Sequence, residues 1–285
     1  MNIRAALSFT LAAWLALTPI GAVDIHVDGV NGNDTTGTGT AGDPVRTITT
    51  ALTLASTPGD RILVEPATYE ECFDTGFIEV EIRSTEFDAS GTNGSTILEG
   101  GGTLDCGAAD PVAILDGGST LEGFTVRNGQ NTGVVAFGGA IITNNLITGN
   151  SGTWGGGVYA FGTATITDNV IAGNSAAYGG GMYIYATDLY GDTDGMQIEG
   201  NEIRDNEATL DGGGGYVFSF PQNGVGPTVT ISTNDIVDNT ADGFGGGLAV
   251  FTYSYADTTA GVRVTGNLIE GNDVTGTPGG GAYVG

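Results

Sequence analysis

Lysine is absent from this chain, and its 285 residues carry only seven basic side chains, all arginine, and one histidine, His26. Arg4 lies in an N-terminal leader, so the remainder holds six arginines against 33 acids, a formal charge of 6 − 33 = −27. Nucleic acid and anionic membranes are bound through clusters of Lys and Arg. Such partners are therefore excluded, and polyanionic substrates are repelled unless metal ions intervene. A scattered acidic surface is also how a chain stays soluble in salty surroundings. Cysteine is nearly absent: Cys72 and Cys106 stand alone, with no Cys-x-x-Cys and no zinc spacing. An even pair in an exported chain is expected to close a disulfide. No Ser/His/Asp arrangement or Walker motif occurs, and the glycine runs are repeat turns rather than phosphate loops.

Residues 1–22 read as a secretory signal peptide. Arg4 is their only charge, an apolar run follows from Ala5, and Pro19-Ile20-Gly21-Ala22 closes it. An uncleaved anchor is the alternative. The mature chain is expected outside the cell or on its surface, without inserting into the membrane.

What is abundant is glycine, 52 residues, and it recurs in step with asparagine. Between Ile142 and Tyr283 one unit appears five times: Ile-x-x-Asn-x-Ile-x-x-Asn, a polar loop, Gly-Gly-Gly and an apolar or aromatic tail. The first asparagine is Asn145, Asn169, Asn201, Asn234 and Asn267; the second is Asn150, Asn174, Asn206, Asn239 and Asn272. Both series step by 24, 32, 33 and 33 residues, a period that marks a stacked solenoid. Short Val/Ile/Thr/Tyr runs between Gly, Asn and Asp signal strands and turns, and three strands per coil suit an all-β, right-handed parallel β-helix. The first asparagine series is expected to form a structural ladder, taking the left-handed conformation at a corner between strands. It should begin at Asn145, because Phe124 stands where later coils place Asn.

These repeats resemble those of the pectate lyase-like (pectin lyase fold) β-helix superfamily and are also similar to the repeats of polymorphic outer-membrane proteins. The resemblance covers most of the mature chain. It implies a parallel β-helix, and for function it spans lyases, hydrolases, epimerases, adhesins and phage spikes.

Ahead of the regular coils, residues 23–71 read as an N-terminal cap. A helical face of Ile48, Ala51, Leu52 and Ala55 precedes a strand over 61–64, and such a cap hides the edge of a solenoid core. Asp28, Asn31, Asn33 and Asp34 are a possible set of Ca²⁺ oxygens, but a plain turn fits their spacing better. Residues 72–140 form irregular first coils, with strands expected over 78–82, 96–98, 112–115 and 121–126. Residues 141–285 form the regular coils. The chain stops in mid-coil, so further coils or a surface anchor are expected beyond Gly285.

In the second regular coil the strands are expected at 165–167, 170–172 and 179–185, with 175–178 as a loop. Alternation in the last of these sends Val158, Met182, Gly215, Leu248 and Ala282 inward, with Ala160, Ile184, Val217, Val250 and Val284. It sends Tyr159, Tyr183, Tyr216, Ala249 and Tyr283 outward, with Phe161, Tyr185, Phe218 and Phe251. Trp154, Tyr178, Asp211, Phe244 and Pro278 precede the glycines. Insertions over 186–195, 219–227 and 252–261 bring Asp188, Tyr190, Asp192, Asp194, Phe220, Tyr253, Tyr255 and Asp257 to the same edge.

Outward rings on a flat sheet suit sugar rings, and strands repeat every ~4.8 Å. The candidate carbohydrate-binding residues are Trp154, Tyr159, Tyr183, Tyr185, Asp211, Tyr216, Phe218 and Phe251. The partner is then a polysaccharide or cell-surface glycan. The bland alternative is that stacked aromatics only shield neighbouring glycines and stiffen the coils. No catalytic set emerges. The superfamily's lyases use Ca²⁺ acids with a Lys or Arg base, and Arg204 and Arg263 fall away from the aromatic face. Its hydrolases need clustered Asp, and only Asp211, with Asp242 in the next coil, stands near. A lyase or hydrolase in the same cleft, or a passive stalk or adhesin, are the other functions open to this chain.

Overall fold

A computed structural model describes residues 21–86, 94–101, 106, 110–187, 195–221, 225–253, 259–276 and 279–285. The expected signal peptide lies almost wholly outside them. The chain winds as a right-handed parallel β-helix, each regular coil adding one strand to each of four stacked sheets and the first coils to three of them. One coil runs Ala140–Thr143, Leu146–Thr148, Ser151–Trp154, Val158–Phe161. Among the described residues the sheets so built hold nine, eight, five and eight strands, and every pairing between strands is parallel.

Three strands per coil was thus one too few. The segment expected as a loop, Ser175–Tyr178, is a strand of the five-stranded sheet, between Ser151–Trp154 and Glu207–Ala208. Its polar, small composition hid it. Only its inward column of Ala176, Ala208 and Ala241 is buried. The run 121–126 divides as well, into Thr120–Glu122 and Thr125–Arg127, because Gly123 turns the chain at φ 84°.

The core is a set of columns. Ile142, Ile166, Ile198 and Ile231 lie in direct register, as do Ile147, Ile171, Ile203 and Ile236, and all are buried. Val158, Met182 and Leu248, with Ala160, Ile184, Val217 and Val250, close the third side. Both asparagine series form ladders, not the first alone. Asn169 Oδ1 accepts from Asn145 N and Nδ2, Asn201 Oδ1 does the same for Asn169, and the step repeats through Asn234 to Asn267. The second series, Asn150 to Asn272, bonds identically. The first ladder begins at Asn145, whose Oδ1 accepts from the backbone N of Phe124, 3.0 Å away.

The ladder residues are not themselves left-handed. That conformation falls one residue earlier, at Asn144, Asp168, Gly200, Thr233 and Gly266. The reason is that each amide must point along the axis to reach its neighbour, so the residue before it makes the corner. The glycine triplets are needed for closeness: a Cβ on Gly157 would lie 2.7 Å from the carbonyl of Gly181 in the next coil.

At the N-terminal end, the helix Ile48–Leu54 buries Ile48 and Ala51, and Leu52 packs against the core. Glu71 supplies its N-terminal hydrogen-bond acceptors, taking bonds from Ile48 N, Thr49 N and Thr49 Oγ1 at 2.8, 2.9 and 2.7 Å. Burial pushes the Glu71 carboxyl up, against the lowering pull of these bonds. Cys72 and Cys106 are joined by a disulfide.

Candidate functional site

The second eight-stranded sheet carries the aromatic residues. Its alternation is as expected: Val158 and Ala160 face the core while Tyr159 and Phe161 face out, and later coils follow in register. Tyr159, Tyr183 and Tyr216 form one column; Phe161, Tyr185, Phe218 and Phe251 form the other. The second column also has a member that sequence reasoning missed. Phe137 lies one residue past the Ala136–Ala160 pair and meets Phe161 edge-on at 6.1 Å. Its signal was available, since Phe137 precedes Gly138-Gly139 as Phe161 precedes Gly162, but the irregular coil around it obscured the phase.

The rings are packed against one another. Tyr183 and Tyr216 stack at 5.2 Å with planes 4° apart, and Tyr185 and Phe218 at 5.6 Å and 8°. Trp154 and Tyr178 stack at 4.8 Å and 9°. At Ala249 the Tyr column has a gap, and neighbours close it: Phe251 leans to 5.2 Å from Tyr216, and Phe244 stacks on Tyr283 at 4.4 Å. Ala249 is consequently buried. The result is a continuous aromatic plate in which many ring faces are taken by other rings. Tyr183, outward by alternation, is only 8% exposed. Burial pushes its phenol well above the usual range, and burial together with the Asp211 carboxylate pushes Tyr216 up to about 12.

Asp211 sits at the rim beside Tyr216, but its Oδ1 accepts from Phe244 N at 2.7 Å and so braces the loop of the next coil. Asp242 accepts from Thr275 Oγ1 at 2.6 Å in the same manner. Arg204 pairs with Glu202 and Asp205 on a different sheet, and Arg263 lies on the nine-stranded sheet. Neither basic side chain belongs to the aromatic sheet. Among the described residues no group of three or more His, Cys, Asp or Glu is placed to hold a metal ion. In the N-terminal segment Asp28 accepts from Val30 N and Asn31 N, Asn33 from Thr35 N and Thr36 N, and Asp34 from Arg46 N and Thr47 N. The Asp28 and Asn33 oxygens organise turns, and Asp34 ties the segment to the start of the helix. Of the expected wall, Phe220 and Tyr253 are present and face each other at 5.4 Å. Asp188, Tyr190, Asp192, Asp194, Tyr255 and Asp257 lie outside the described residues, as does Pro278.

No curated protein matches the chain. Among solved structures, the native GH136 lacto-N-biosidase from Eubacterium ramulus is similar at 14% sequence identity and a TM-score of 0.32, over 90% of this chain and 68% of that one. A likeness at that level says nothing of activity. The family model for the right-handed β-helix region matches residues 75–285, the whole stack of coils beyond the first turns. By that match, which spans more than half of its length, the chain belongs to the right-handed β-helix family.

Proposed function

We propose that this β-helix is exported and binds a glycan, or a glycan-bearing surface, across its aromatic sheet, without itself carrying a catalytic set. The observation that carries the reading is the plate: an outward aromatic surface maintained from Phe137 to Tyr283 across successive coils. A contiguous apolar surface of this kind usually serves an interaction. Ring edges offer C–H and dispersion contacts, and the Tyr hydroxyls offer hydrogen bonds, a combination that matches the mixed character of a sugar. The Cys72–Cys106 disulfide fits an oxidising compartment. The excess of acids favours a neutral or cationic partner, or an anionic one bridged by Ca²⁺.

Because the rings also stack, an alanine variant tests two things at once. Tyr183→Phe combined with Tyr216→Phe keeps the stack and removes two hydroxyls. On a glycan array this double variant should lose about 1–3 kcal/mol of binding free energy with an unchanged melting temperature. Unchanged binding in both this variant and Tyr183→Ala/Tyr216→Ala, with stability lost in the latter, would mean that the plate is structural only, as in a passive stalk.

A further inference from the structure

The five-stranded sheet is shorter than the others, and where it begins the coil cross-section steps outward. In the coil below, the chain crosses from Asn128 to Gly133 directly; in the next, the strand Ser151–Trp154 is inserted along the same side. That strand is therefore the edge of its sheet, and Trp154 stands on the step. Among the described residues the rings against Trp154 are Tyr178, stacked, and Tyr183, edge-on at 5.0 Å, both in the following coil. No ring rises from the coil beneath, and Trp154 is 46% exposed, the most open ring among those that precede the glycine triplets.

The floor of the step is polar. A cavity there is lined by Glu99, Asn128, Gln130 and Ser151, with glycine backbone between them. Its one carboxylate is already committed, because Glu99 Oε2 accepts from Arg127 Nε at 2.5 Å and Oε1 accepts from Asn128 Nδ2. The cavity thus offers the Gln130 amide, the lone pairs of the Ser151 hydroxyl, whose proton is directed weakly to Gly129 O at 3.4 Å, and no uncompensated charge. Thr132 fixes the floor to the step: it holds φ 108°, a conformation that β-branched residues rarely adopt, and its Oγ1 donates to the carbonyls of Trp154 and Gly155. From Ser151 to Trp154 is three residues, about 10 Å along an extended strand, which is the scale of two linked pyranose rings.

We infer that this step is a discrete subsite for an uncharged disaccharide unit of a glycan chain, one sugar lying on the open side of the Trp154 indole and its neighbour hydrogen-bonding over Gln130 and Ser151. The inference rests on the glycan-binding reading of the aromatic sheet and specifies where on it an uncharged segment is held. Binding across the plate alone would not involve Trp154's open side.

Trp154 reports on its own site, because Trp14 is the other tryptophan of the chain. In the mature chain, where Trp14 has left with the leader, emission from Trp154 is followed while hexamers of β-1,4-linked glucose, N-acetylglucosamine and galacturonic acid are added. An uncharged hexamer should shift the emission saturably and the galacturonate hexamer should not. By calorimetry Trp154→Ala should weaken the uncharged hexamer about tenfold. Gln130→Ala, at an exposed position, should weaken it severalfold without moving the melting temperature. A hexamer that binds with Trp154 emission flat and both variants unaffected overturns the subsite and leaves the plate as the binding surface. Preference for galacturonate overturns the assignment of an uncharged ligand. Binding by no hexamer removes the glycan reading and the subsite together.

Discussion

Asn201 sits in the middle of the first ladder, 1% exposed, and its removal measures what the ladder contributes. Its Oδ1 accepts from Asn169 N and Nδ2, both at 3.0 Å, and its Nδ2 donates to Ile166 O at 2.8 Å, Asn234 Oδ1 at 2.9 Å and Glu199 O at 3.2 Å. Alanine leaves Asn169 N–H and Ile166 C=O without these partners inside the coil. Asn234 Oδ1 keeps its bond from Asn201 N, and Asn169 Nδ2 keeps Ile142 O and Thr167 O. One buried donor, Asn169 N–H, is then unsatisfied at roughly 1–3 kcal/mol, and Ile166 O, which lies in the parallel strand ladder, loses a further bond at about 1 kcal/mol, so Asn201→Ala should cost about 2–4 kcal/mol. At about 2–4 °C per kcal/mol for a chain of this size, the melting temperature should fall by roughly 4–16 °C. Asn145→Ala is the informative comparison. Asn145 is equally buried, because the Phe124 amide closes the ladder below it, but its Oδ1 accepts one bond there instead of two. Its cost should be smaller by about one neutral hydrogen bond, ~1 kcal/mol. Asn169→Ala with Asn201→Ala should cost less than the sum of the singles, since they share two bonds. Strict additivity in urea or thermal melts would refute the ladder as a coupled unit.

Two further outcomes are expected. Replacing Cys72 and Cys106 by serine opens a loop set by a sequence separation of 34 and should cost about 3–4 kcal/mol, read in urea melts; an unchanged midpoint would show that the link contributes nothing to stability. Tyr183 and Tyr216 have phenol pKa values raised in the folded state, Tyr216 to about 12. A raised folded-state pKa means that their contribution is fully present below the unfolded value of about 10 and is lost as pH rises from there through about 12. Absorbance at 295 nm should show at least these two tyrosines ionising late and together with unfolding, and a titration complete near pH 10 with the fold intact would contradict their burial.

The coils and ladders were legible in the sequence because both rest on residues that repeat at one phase with one chemistry. An asparagine that must both donate to and accept from its copy cannot be replaced without breaking the period, so the period is visible. The five-stranded sheet was illegible for the opposite reason. Ser151-Gly-Thr-Trp154 and Ser175-Ala-Ala-Tyr178 are small and polar, and their only inward requirement is a residue small enough to fit, met by Ala176 and Ala208. The outward direction of Tyr159, Tyr183 and Tyr216 could be read from alternation. That their faces would be spent on one another could not, because a strand pattern fixes direction and not ring tilt.

A stricter rule accounts for where chemistry can sit on this molecule. In a parallel in-register solenoid each outward side chain lies one strand spacing, about 4.8 Å, from its counterpart in the next coil, so a column must tolerate itself. Amides and aromatic rings do; like charges directly opposed are destabilising. The first coils answer this by alternating sign: Asp24 is registered against Arg61, Arg83 against Glu122 and Glu99 against Arg127, and each pair is in ionic contact. With only six arginines beyond the leader that device runs out, and Glu202 is left registered against Asp235, with Arg204 reaching back to Glu202 and across to Asp205. The aromatic sheet needs no such compensation, because rings attract their neighbours at this spacing. A flat, uncharged, self-compatible surface is therefore what this architecture sustains over many coils in a chain so poor in cations. On the proposed reading, recognition of an uncharged partner would fall to that surface, with Asp211 at its rim beside Tyr216.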